Sequence, residues 1–239
     1  MIALLRGELA KAVTTRTFWA FLLGNAAFAA LNAVLVGAAS GTLDSVPEKQ
    51  EAISSLPLLV LVWGLVGVAG EHRHRTAAPS ALVARHGRGT LLAMRIGAYG
   101  LTGVALGVVV SVVGVAVALP LLAAQPGPDL SAAQVSDVVA GNLVAAALSV
   151  TLGAAIGALL RSQVLGVVAV LVVGFAVVPL ISSVNEGAAN LTPFGASAVL
   201  TGATHDTTIT AYAAAWILVG WTVALTTATV LVERARDLA

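Results

Sequence analysis

The chain has 239 residues, of which 59% are hydrophobic and only 10% charged, and its formal net charge is +1. Soluble domains average about 45–50% apolar and about 25% charged, so a water-surrounded globule of this size lacks the polar surface to cover such a chain. With no cysteine at all, disulfides and thiolate metal sites are excluded.

Residues 2–16 are predicted to form an amphipathic surface helix lying along a membrane. Ile2, Leu5, Leu9, Ala12 and Val13 share one face at helical spacing, and Glu8, Lys11, Thr14 and Thr15 fall opposite. Six apolar stretches then approach the roughly 20 residues that a helix needs to cross a bilayer. They lie near 18–38, 54–70, 96–119, 138–160, 163–182 and 211–232. The first is expected to be retained rather than cleaved, because the run from Thr17 to Ala39 exceeds the 7–15 residues or so of a signal-peptide core. The expected fold is therefore all-α and integral to a membrane, one transmembrane domain over residues 1–239. Between spans 5 and 6, around 183–210, short helices are expected, and Pro179 should disturb the end of span 5.

Basic residues are distributed unevenly. Arg6, Lys11, Arg16, Arg73, Arg75, Arg85, Arg88, Arg95, Arg161, Arg234 and Arg236 all fall on one side of the six spans, leaving Lys49 alone on the other. A Lys/Arg bias of this kind places that side, and with it both termini, in the cytoplasm. The expected location is the plasma (inner) membrane, with lipid around the spans. The far side carries Asp44, Glu48, Glu51, Asp129, Asp137, Glu186 and Asp206.

No ionisable residue falls in the middle of a predicted span, which argues against an ion-coupled carrier. Asn25, Asn32 and Asn142 are polar groups inside the spans; they line a substrate path or, more commonly for such residues, bond a neighbouring helix. Gly103-x-x-x-Gly107 and Gly153-x-x-x-Gly157 fit close helix contacts without identifying the partner helix. His72 and His74 alternate on a helix and so do not converge on a metal. No hydrolase elbow, zincin pair or phosphate-binding loop occurs, so neither a catalytic residue nor a metal ligand is expected. The chain is expected to bind no cofactor and no nucleic acid.

The loop after span 2 is the longest basic connection. It runs Glu71-His72-Arg73-His74-Arg75-Thr76, then through Pro79, Leu82 and Val83 to Arg85-His86-Gly87-Arg88 and Ala93-Met94-Arg95. Pro79 suits the first turn of a short helix and Gly87 its end. Charge alone fits either an orienting loop or a docking element. In their order these segments resemble type-2 ATP-binding-cassette (ABC) transporter permeases of the bacterial exporter type. There an acidic-aromatic-Arg-x-Gly-Thr element closes the second span, and a coupling helix and a Pro-Arg-Arg-like turn precede the third. The stretch Arg6-x-Glu8-Leu9-x-Lys11 is similar to that family's surface helix. The sequence departs from the pattern at His72, at Arg75 and before Arg85, which no proline precedes.

The resemblance implies a permease subunit, not itself an enzyme, that works as a homodimer or beside a similar subunit. A cytoplasmic ATP-binding ABC subunit would carry ATP and Mg and drive export of a hydrophobic or amphipathic compound. It implies that Glu71, Arg73, Thr76, Leu82, Arg85 and Arg88 couple the chain to that ATPase. Rival readings are a membrane assembly or anchoring subunit without transport, and an ion-coupled secondary carrier.

Overall fold

A computed structural model describes residues 2–39, 41–55, 57–73, 87–204 and 208–236. The predicted coupling helix between spans 2 and 3, expected to start near Pro79 and end at Gly87, lies outside the described residues apart from Gly87. The described residues hold no strand. In chain order the helices are α1 (Ile2–Thr14), α2 (Arg16–Val34), α3 (Val46–Ile53), α4 (Pro57–Arg73), α5 (Arg88–Leu122) and α6 (Ala132–Leu160). They continue as α7 (Gln163–Val172), α8 (Val178–Val184), α9 (Glu186–Asn190), α10 (Pro193–Thr201) and α11 (Ala211–Arg236). Turns of π-helix extend α2 over Leu35–Ala39 and join α7 to α8 over Val173–Val177. Six segments are long and apolar enough to cross a membrane: Arg16–Ala38, Val46–Glu71, Gly89–Leu122, Ala132–Leu160, Gln163–Val184 and Ala211–Ala235. These characters fit a multi-pass membrane protein, where helices satisfy their own backbone groups away from water.

Local chemistry sets the breaks. Thr15 leaves the helical conformation and its hydroxyl accepts from the Phe18 amide at 3.2 Å, ending α1 and opening span 1. Span 2 is interrupted after α3, and Pro57 restarts it at a first helical position, where a missing N–H costs nothing. The Asn142 side chain from span 4 bridges this break, donating to the Ile53 carbonyl (3.1 Å) and accepting from the Ser55 amide (3.2 Å). Arg161, at φ 53°, and the Ser162 cap turn span 4 directly into span 5. Pro179 begins α8 directly after the π turn, so the ladder widens ahead of a residue that cannot donate to it. The two short helices expected before span 6 are α9 and α10, capped by Asn185 and Thr192.

Spans 2 and 4 form the centre. About 71% of the apolar stretch of span 2 and 56% of span 4 is buried within the chain, against 11% of span 5 and 17% of span 6. Glycines make the central crossing: Gly153 lies against the Leu61 carbonyl, Gly157 against Leu65, and Gly64 against the Val150 carbonyl. Gly103 and Gly107 seat span 3 on Ala146, Ala147 and Leu143 of span 4. Both small-residue patterns therefore meet backbone of neighbouring helices, in keeping with packing by close approach rather than by a hydrophobic drive.

A side chain at Gly153 has no room, because a Cβ there overlaps the Leu61 backbone. Gly153→Val is expected to destabilise the bundle by about 3 kcal/mol or more. Gly97→Ala, with nothing within 4 Å of the added carbon, should be neutral or mildly stabilising. Thermal unfolding of both purified variants in detergent checks the contrast.

Candidate functional site at the basic rim

Four charged side chains converge where α1 meets the ends of spans 2 and 3. Glu8 and Lys11 share a face of α1 at i,i+3 spacing; Glu71 stands near the end of α4 and Arg95 two turns into α5. The Arg95 Nε donates to Glu8 Oε2 at 3.0 Å, and its Nη1 lies 2.6 Å from Glu71 Oε2. Lys11 donates to the other oxygen of Glu71, with its ammonium 3.9 Å from Glu8. The set is two acids and two bases, neutral as a whole. The Arg95 side chain is only 4% exposed and the two carboxylates are nearly as covered, while Lys11 is 43% exposed.

Glu8 does not lie on the solvent-facing side of α1 that its helical spacing predicts. It is buried, with Ala12 one turn on, and faces the bundle. Helical spacing by itself treats a carboxylate as solvent-facing; Arg95, 87 residues away in the chain, supplies the counter-charge that turns it inward.

Beneath the ions lies an aromatic layer. Trp63 makes tilted ring contacts, its centre 5.4 Å from that of Tyr99, 5.5 Å from Phe18 and 5.6 Å from Phe21, and its indole N–H donates to Thr102 at 2.8 Å. Gly67 makes room for the Tyr99 ring. A cavity of about 360 Å³ opens between ions and rings, with Lys11, Thr15, Glu71, Tyr99 and Gln163 among its walls. Gln163 spans it to donate to the Val66 carbonyl at 3.0 Å, fastening span 5 to span 2. At the same rim Arg161 pairs with Glu233, joining the span 4–5 turn to span 6, and Gly89 lies against Arg234.

Of the residues implied by sequence, Glu71 is the one placed in this network. Arg73 closes α4 and Arg88 opens α5, so both stand at the edges of the basic loop. Thr76, Leu82 and Arg85 lie outside the described residues. Asn25 donates to the Phe21 carbonyl (2.7 Å), Asn32 to that of Glu51 (3.2 Å), and Asn142 ties the span-2 break. The space beside Asn25 and Asn32 is about 10 Å³, about enough for one water. Asn32 and Asn142 thus tie separate helical segments together, whereas Asn25 bonds only within its own helix. Sequence reasoning missed Glu8 and Arg95; the signal available was an acid in α1 and a base just inside span 3, both at the same predicted rim.

Glu71, before the 74–86 segment, and Arg95, after it, meet in one neutral ion cluster that also holds α1. No protein-family model matches the sequence, and no curated protein matches it.

Removing Arg95 leaves two buried carboxylates with one exposed lysine between them. Arg95→Ala should therefore cost about 3–5 kcal/mol, as for a broken buried pair. Lys11→Ala, which removes a partly exposed ammonium from the buried Glu71 carboxylate, should cost less than Arg95→Ala. Denaturant titration of the two variants in micelles measures both.

Proposed function

We propose that this chain is the permease subunit of an ABC exporter, moving a hydrophobic or amphipathic compound with energy from a separate cytoplasmic ATPase. The observation that carries the proposal is the ion cluster of Glu8, Lys11, Glu71 and Arg95, set where the basic loop joins spans 2 and 3. An input delivered to that loop reaches three helices at once, which is what transport driven from outside the membrane requires. The order of charged and small residues from Glu71 to Arg95, similar to the type-2 permeases, gives the loop its proposed partner. Spans without a mid-membrane ionisable group favour external energy over an ion gradient.

In this reading the arginine-rich rim is cytoplasmic, α1 lies along the inner surface, and the loop carries the coupling helix. Arg73, Thr76, Leu82, Arg85 and Arg88 meet the ATPase. Glu71 acts from behind them, holding the loop to the bundle. The largely uncovered faces of spans 1, 5 and 6 face lipid and a second permease subunit.

The test is reconstitution with the partner ATPase. Arg73→Ala and Arg85→Ala should leave membrane insertion and stability unchanged while lowering compound moved per ATP hydrolysed by about tenfold or more, a loss of roughly 1.4 kcal/mol in coupling. Normal coupling in both variants removes this role for the loop. Transport that collapses with the proton gradient while ATP is maintained replaces the proposal with a secondary carrier.

A further inference from the structure

At the opposite end of the bundle, a groove of about 420 Å³ runs between spans 2 and 5 and the short helices α9 and α10. Leu58 on its wall and Glu71 at the basic rim are thirteen residues apart on α4, about 20 Å along the helix axis. The groove is therefore separate from the ion network. Its volume lies within the range of about 300–1,000 Å³ that accepts a small organic molecule. Phe28, Phe175 and Phe194 supply aromatic walls, with Phe175 71% exposed. Among the described residues lining it, Glu186 is the only ionisable one, and it is exposed at the N-terminal end of α9.

We propose that this groove binds a cationic amphiphile, the apolar body lying between the phenylalanine rings and the positive group held at the Glu186 carboxylate. Charge chooses this occupant. This end carries Asp44, Glu48, Glu51, Asp129 and Asp137 besides Glu186, and its one lysine or arginine among the described residues, Lys49, is fully buried with its ammonium directed at the Gly127 carbonyl 3.5 Å away. The resulting potential attracts cations and repels anions. Aromatic rings in the same lining offer cation–π attraction, which a neutral or anionic compound does not gain. Gly174 keeps the floor open: a larger side chain there projects toward Leu58 and Phe194. As a statement about cargo the proposal rests on the export reading; as a statement about binding it stands on the groove alone.

Two hydrophobic ions of matched shape and opposite sign, tetraphenylphosphonium and tetraphenylborate, test it by equilibrium dialysis against the full chain in phosphatidylcholine nanodiscs, with empty discs subtracted. The expected result is saturable tetraphenylphosphonium binding, weakened about tenfold or more by Glu186→Gln, the loss of one coulombic attraction, and abolished by Gly174→Leu. Glu186→Gln alters an exposed side chain, so an unchanged melting temperature accompanies the loss and separates it from misfolding. Equal uptake of tetraphenylborate, or unchanged affinity in Glu186→Gln, overturns the proposal. So does quantitative disulfide formation between two copies of Phe175→Cys that tetraphenylphosphonium does not diminish, because a second chain then fills the groove. Charge-selective binding without ATP-driven transport would sink the export reading and leave this site standing. ATP-driven transport without such binding would do the reverse.

Discussion

A charge held in an apolar bundle must be matched within that bundle, and the neighbourhood of Arg95 follows from this constraint. Its guanidinium is almost fully covered and reaches carboxylates from two different elements, Glu8 of α1 and Glu71 of span 2. Either carboxylate left without it would carry a desolvation cost of several kcal/mol. Lys11 completes neutrality from the exposed side. The helix preceding span 1 is thereby fixed to spans 2 and 3 by electrostatics in addition to the apolar contact of Ala12 and Val13. A neutral cluster also avoids placing a net charge beside the aromatic layer of Phe18, Trp63 and Tyr99.

The rest of the fold divides into a close-packed centre and an open periphery. Spans 2 and 4 touch backbone to backbone through Gly64, Gly153 and Gly157, and span 3 joins them through Gly103 and Gly107. Side-chain amides and hydroxyls complete the centre: Asn142 across the span-2 break, Thr229 of span 6 donating to the Ala155 carbonyl at 3.3 Å. Span 5 has few such ties beyond Gln163 and exposes Val164, Phe175, Leu180 and Val184. In water so much exposed apolar surface would be a liability; in lipid it is the ordinary state of a span. The rim cluster and the far groove sit at opposite ends of the same central helix, α4, which contributes Glu71 to one and Leu58 to the other.

The spans were legible because a bilayer imposes one length and one polarity on whatever crosses it, and all six expected stretches fall on helices. The short helices expected around 183–210 are α9 and α10, and their caps at Asn185 and Thr192 were a local signal that the sequence reading did not use. Pairings over long sequence distances were not legible. The glycine patterns announced close contacts, yet nothing local tells Gly153 that it meets Leu61. The break in span 2 is bridged by Asn142, 87 and 89 residues from the groups it binds, and the expected span over 54–70 matched α4 while leaving α3 unread. Glu8 is the plainest case: periodicity assigns a carboxylate to the wet face, and only the fold brings Arg95 to the dry one. The groove at Glu186 was equally hidden, since its walls come from four separate stretches of chain.

The central claim is that Glu8 and Arg95 act as one unit joining α1 to the bundle. A double-mutant cycle with Glu8→Gln, Arg95→Met and their combination, followed by denaturant unfolding in one detergent, isolates that link from the individual losses. The account predicts a favourable coupling energy of about 2 kcal/mol or more, with the double variant much less damaged than the sum of the singles. Effects that add to within about 0.5 kcal/mol would contradict it, leaving α1 attached by apolar contact and the rim without its mechanical link.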